Sequence, residues 1–177
     1  MYQKTNHSIK HRKISKNQTA LIGSIPNKFK INDEFYTPPA LIIKLLEITP
    51  LTAGDTLLDS AYGTGNFYNN FPQKTSNSYS EDFFNVNNKF DWIITNPPYS
   101  VLDKWIEHTC KLSIKGFGLL ISLNNITPKR LEIIENAGFG LTYIEIFKVH
   151  KWFGESAYII LEKNKKSIFN YNRTVWY

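Results

Sequence analysis

The sequence predicts an α/β protein built on a mostly parallel sheet, and three observations carry that expectation. Short apolar segments alternate with helical patterns of about a dozen residues, the signature of β-α-β units. Residues 117–123 are apolar almost throughout, as a strand covered on both faces must be. Two apolar segments run straight into loop chemistry: Asp59 into a glycine-containing turn, and Thr95 into Asn96-Pro97-Pro98-Tyr99. Open α/β sheets place ligands at such strand ends.

Each element follows from local pattern. Thr37-Pro38-Pro39 opens the first helix, with Thr37 as N-cap and Pro38 at the first helical position. Leu41, Ile42, Leu45 and Leu46 share one face, and Pro50 and Gly54 end the segment. Thr56–Asp59 reads as a buried strand, followed by the turn Tyr62-Gly63-Thr64-Gly65 and a short helix over 66–71. Residues 72–89 are polar and aromatic, with room for one short strand near 77–80. Phe90–Thr95 is a clear strand. Ser100 and Asp103 have the spacing of a capping box for a helix reaching about Leu112. After the strand at 117–123, Thr127-Pro128 starts a helix with Leu131, Ile133 and Ile134 inward and Gly138 as its stop. Residues 141–149 alternate as a strand does, and 158–161 form the last strand. The short link 150–156 makes that final pair antiparallel.

Charge divides the chain. It has 177 residues, 21 Lys+Arg and 15 Asp+Glu. Residues 1–30 hold Lys4, Lys10, Arg12, Lys13, Lys16, Lys28 and Lys30 and no acid, so an arm of +7 joins a body of −1. The expected organisation is a basic extension over 1–32, flexible or partly ordered, a catalytic domain over 33–163 and a basic, aromatic tail over 164–177. A basic surplus permits a polyanionic partner without establishing one. A content of 42% hydrophobic residues supports a real core. The lone Cys110 excludes an internal disulfide framework and a cysteine-based zinc cluster. The four histidines lack metal-ligand spacing in any ordered segment, so no metal is expected. No apolar run approaches the ~18 residues of a membrane span, and no apolar signal core follows the basic start. The expected location is the cytoplasm.

Two constellations carry chemistry. In Asp59-Ser60-Ala61-Tyr62-Gly63-Thr64-Gly65-Asn66-Phe67, glycines after a strand allow a tight turn and close backbone approach to a nucleotide-like ligand; such turns also serve the loop alone. In Asn96-Pro97-Pro98-Tyr99, two prolines fix φ and supply no N–H, so the carbonyls and the Asn96 side chain form a rigid set of acceptors beside the flat face of Tyr99. That suits an amino group on a planar ring. The bland alternative is a rigid loop whose Asn caps the next helix.

In this order and spacing the two motifs resemble those of the amino-methyltransferases that use S-adenosylmethionine, above all the DNA adenine-N6 group. The likeness covers about residues 33–163, and Phe35-Tyr36-Thr37-Pro38-Pro39 resembles the family's cofactor-contacting motif ahead of the first strand. It implies a Rossmann-like methyltransferase sheet. Too few residues separate the two motifs for two full β-α units, so the sheet is expected to be trimmed to about six strands with an antiparallel last strand. The resemblance assigns catalysis to Asn96, Pro97, Pro98 and Tyr99. It assigns S-adenosylmethionine contacts to Tyr36, Thr37, Pro38, Asp59, Ala61, Gly63, Gly65, Asn66, Phe67, Asp82 and Phe83. No clear acid ends the second strand to hold the ribose, and Glu81 is a substitute.

The implied substrate is adenine flipped out of double-stranded DNA, with RNA adenine or protein glutamine as alternatives because protein-glutamine methyltransferases share the catalytic motif. A non-catalytic, nucleic-acid-binding subunit of the same fold is a third reading. No Pro-Cys nucleophile of the cytosine-C5 type is present. Candidate nucleic-acid contacts are Lys10, Arg12 and Lys13 in the arm, Lys129 and Arg130 at a helix start, and Trp152 and Phe153 in the last hairpin. For the hairpin aromatics, packing is the equal alternative, and for the two cations, a solvated face. No insertion is long enough for a target-recognition domain. Specificity then falls to the arm, to the Lys163, Lys165, Lys166 and Arg173 end, to a specificity partner or to a second copy of the chain.

Overall fold

A computed structural model describes residues 37–149, 152, 154–172 and 174. The basic arm with Lys10, Arg12 and Lys13, and also Tyr36, Phe153 and Arg173, lie outside the described residues.

The first helix, α1 (Pro39–Ile48), starts one residue later than Thr37 capping requires. Pro38 takes the cap position with extended backbone (φ −60°, ψ 134°), because a residue preceding proline is excluded from the helical region. Ile42, Leu45 and Leu46 are buried, as their spacing demands. Strands β1 (Thr56–Asp59) and β3 (Phe90–Thr95) occupy the predicted spans, and β2 (Ser76–Tyr79) lies between them. The helix expected over 66–71 is only a 3₁₀ turn, Tyr68–Asn70. A second 3₁₀ turn, Phe83–Asn85, precedes β3, so short turns replace helices in both of these crossovers.

Helix α2 (Leu102–Leu112) follows a 3₁₀ turn at Tyr99–Val101 and has no side-chain cap. The capping box expected from Ser100 and Asp103 does not form, because Asp103 turns instead to Lys129 and Arg130. Strand β4 (Ser113–Ser122) begins directly at the end of α2, four residues before the predicted start. In α3 (Pro128–Asn136), the Thr127 hydroxyl accepts the Arg130 amide at 3.4 Å, the predicted cap. Strands β5 (Phe139–Phe147) and β6 (Ser156–Lys163) complete the sheet.

The strand order is β2-β1-β3-β4-β6-β5. The pairings among β2, β1, β3 and β4 are parallel, and β6 runs antiparallel to both β4 and β5. This is the expected six-stranded sheet. One core lies between the sheet and α2 and α3, around Ile93, Trp105, Phe117 and Ile134. The other lies on the α1 face, around Ile42, Leu45, Trp92 and Tyr158.

Residues 164–172 fold back across the start of β5. Ile168 N–H donates to the Leu141 carbonyl (2.9 Å), and the Ser167 and Tyr171 hydroxyls donate to Glu135 (2.5 and 2.8 Å). Gly140 permits the crossing, since a Cβ there would run into the Lys165 carbonyl. Lys163 caps the end of α3 through the Ala137 carbonyl (2.6 Å), a favourable place for a cation. The basic tail residues up to Lys166 therefore sit at the amino edge of the sheet, opposite the ends of β1 and β3.

Candidate active site

The carboxyl ends of β1, β2 and β3 bring three distant segments together. Asp59, at the end of β1, is buried and accepts the Thr95 hydroxyl (2.9 Å) and the Ala61 amide (3.3 Å) on one oxygen. Its other oxygen accepts the Tyr68 amide at 3.3 Å. Ala61 N–H also reaches the Thr95 hydroxyl (3.1 Å). Asp59 thus draws the glycine turn back on itself and ties it to the residue just before Asn96. No cation faces it. Burial pushes its carboxyl up to about 6, against the lowering effect of the Thr95 hydroxyl and the two amides.

Thr37 closes the other side. Its carbonyl accepts the Asn66 side-chain amide (3.3 Å), and its hydroxyl accepts the Asn96 amide (3.4 Å). Thr37, predicted to cap α1, instead joins the segment ahead of α1 to the glycine turn through its carbonyl and to the acceptor motif through its hydroxyl. Pro97 is buried, and Tyr99 packs its ring against the α2–α3 core. The acceptor motif is therefore held rigidly at the strand end. Gly63 and Gly65 have positive φ (50° and 80°), as the turn requires. Next to a Cβ placed on Gly63 the nearest atom is the Ala61 carbonyl at 3.8 Å, so the backbone there is open to approach.

Several predicted residues stand elsewhere. Phe67 and Phe83 are core residues, 4% and 2% exposed. Phe83 packs on Trp105 and His108, with ring centroids 4.6 and 4.8 Å away, rather than facing the glycine turn. Asp82 is exposed and accepts the Asn85 side chain (2.7 Å). Lys129 and Arg130 both pair with Asp103 (2.6 and 2.7 Å), and Arg130 also holds Asn125. The two cations share one carboxylate, and the Lys129 side chain stays 62% exposed. Trp152 is half-buried against the α1-side core.

Sequence reasoning missed Thr95, Tyr62 and Tyr79. Thr95 is a fully buried hydroxyl closing the apolar run Trp92-Ile93-Ile94, which is a readable signal. Tyr62 stacks on Tyr79 with centroids 4.1 Å apart, and Tyr68 meets Tyr79 edge-on at 5.0 Å. That cluster fills the end of β2; Glu81, the substitute ribose acid, lies two residues beyond that strand and is exposed. Among the described residues no group of three or more His, Cys, Asp or Glu is placed to hold a metal. No described helix is long and apolar enough to cross a membrane.

No family model and no curated protein matches the chain. Solved structures do. One is magnesium protoporphyrin IX methyltransferase from Synechocystis with bound S-adenosylmethionine: 13% identity over 70% of this chain and 76% of that one, TM-score 0.52. Another is a modification subunit of a putative type I restriction enzyme from Vibrio vulnificus: 12% identity, 85% of this chain and 49% of that one, TM-score 0.58. A third is the E. cuniculi Mtq2–Trm112 complex that methylates the termination factor eRF1: 20% identity, 74% of this chain and 99% of the matched one, TM-score 0.53. The chain spans about half the length of the Vibrio subunit. The fold is that of the Rossmann-like methyltransferases.

Proposed function

We propose that the protein transfers a methyl group from S-adenosylmethionine to the N6 amino group of adenine in DNA. The observation that supports it most is Asn96-Pro97-Pro98-Tyr99, held rigidly at the end of β3 and joined through Thr37 and Thr95 to the glycine turn. The turn fits the cofactor: its backbone is open at Gly63, and Asp59 and Thr37 order it from both sides. S-adenosylmethionine, when bound, supplies an electrophilic methyl on a sulfonium.

The chain's own residues do the rest. The Asn96 side-chain oxygen and the Pro97 carbonyl accept the two N6 hydrogens, raise electron density on nitrogen and orient its lone pair. Tyr99 offers its face to the flipped base. Positioning and fixed dipoles lower the barrier, and no charged base is required. The arm of +7 is the candidate for holding phosphates, because Lys129 and Arg130 are engaged by Asp103. Target choice falls to a specificity partner or a second copy, in line with the modification subunit among the fold neighbours. Methylation of a protein by the Mtq2–Trm112 complex favours protein glutamine as the second reading, ahead of RNA adenine or a non-catalytic subunit.

Mass spectrometry of modified bases in the expression host's DNA tests the proposal. The wild-type chain is expected to yield N6-methyladenine, and Asn96→Ala or Tyr99→Ala to lower the yield about 100-fold or more while the cofactor still binds. In a DNA-binding titration across a salt series, removing residues 1–30 is expected to weaken binding, most at low salt, and to flatten its salt dependence. Undiminished methylation in both site variants overturns the assignment. Methyl transfer to protein, with none to DNA, moves the reading to the second substrate.

A further inference from the structure

Tyr62 lies in the turn Asp59–Phe67, yet its ring does not point away from it. It folds back over Gly65: a Cβ built on Gly65 would meet Cε2, Cζ and Oη of Tyr62 at 2.9 Å. The same ring stacks on Tyr79 at the end of β2. Gly65 has no side chain of its own there, so the face that its backbone would show to a ligand is covered by an aromatic ring. A planar ligand lying on Gly65 and the observed Tyr62 ring cannot occupy that space together.

The ring is held by ring contacts: it stacks on Tyr79, itself 47% exposed, and meets Tyr68 edge-on with centroids 6.1 Å apart, while no hydrogen bond to a described residue anchors the Tyr62 hydroxyl. A stacked pair of this kind contributes roughly 1 kcal/mol beyond burial. A side chain can swing about its own rotatable bonds, whereas the backbone beneath it is fixed by Asp59.

We infer that Tyr62 is a displaceable plug of the ligand site, stacking on Tyr79 and covering Gly65 until S-adenosylmethionine takes that space. The inference rests on the proposed cofactor. A site closed part of the time binds more weakly in proportion to its open fraction, so Tyr62 lowers apparent affinity and tunes it.

Calorimetric titration of the full-length chain with S-adenosylmethionine tests this. Tyr62→Ala is expected to bind roughly 3- to 10-fold more tightly than wild type, the factor that a stacked pair's contribution corresponds to. Tyr62→Phe, which keeps the ring, is expected to bind as wild type does. Tyr62→Leu carries the same expectation as Tyr62→Ala should the alanine variant not fold. Wild type without measurable binding and Tyr62→Ala with it also supports the plug. Equal or weaker binding by the ring-less variants, with wild type binding, overturns the plug and leaves the cofactor assignment standing. No binding by any variant overturns both.

Discussion

Asp55 and Asp59 bracket β1 and are 2% and 1% exposed, yet the protein treats them in opposite ways. At the amino end, burial raises the Asp55 carboxyl, but Lys115 at 2.5 Å and the Thr52 hydroxyl and amide outweigh it and bring it down to about 2. At the carboxyl end, Asp59 has only neutral donors, and burial pushes it up to about 6. Asp55 serves the fold: it stitches the loop before β1 to the start of β4. Asp59 is costly for the fold and orders the turn at the ligand end. Perturbed, uncompensated acids of this kind gather where function competes with stability.

The largest effect expected from this contrast is on pH dependence. Asp59 is raised, so its contribution to stability is full below its unfolded value near 3.8 and is lost as pH rises through about 6. Asp55 is depressed, so its contribution is present above 3.8 and is lost as pH falls through about 2. Asp91, Asp103 and Glu145 are depressed as well, so among the described carboxyls with a clear shift Asp59 alone is raised. In urea unfolding, wild type is expected to lose up to about 3 kcal/mol relative to Asp59→Asn between pH 4 and 7. Parallel curves for the two proteins would erase the contrast.

Thr95→Val sharpens it next. The variant keeps the shape but removes the hydroxyl shared by Asp59 and Ala61, at a cost of about 2 kcal/mol. Stability and cofactor affinity are expected to fall together, as read by urea unfolding and calorimetry. A loss of stability alone would separate the turn from the ligand. The smallest effect is Asp55→Asn, about 1 kcal/mol in urea at pH 7, because Lys115 is half-exposed and regains water. Its cofactor affinity is expected to match wild type, since Asp55 lies at the far end of the strand.

Much of this site was legible before any tertiary structure. β1 and β3 are apolar runs closed by unmistakable loop residues, so their bounds follow from local pattern. The helix over 66–71 was misjudged because Asn66, Asn69 and Asn70 prefer turns, and the Asn66 amide is engaged at Thr37. The Ser100/Asp103 box was misjudged because two cations on α3 outbid an amide for the Asp103 carboxylate. The resemblance assigns Phe67 and Phe83 to the cofactor by motif position. Nothing in a motif states which face of a turn a ring takes, and here both rings are in the two cores.

Sequence by itself determined the order of the strands, the three α-helices, the reversed last strand and the two loops that must lie at one sheet edge. These follow from periodicity, proline and glycine, which act over a few residues. Tertiary structure alone decided which side chains meet at that edge. Thr37 and Asn96 are 59 residues apart, and Asp59 and Thr95 are 36 apart. Their hydrogen bonds depend on β1 and β3 pairing in register. So does the neutral character of the described donors around Asp59, and no local pattern encodes the composition of a buried neighbourhood.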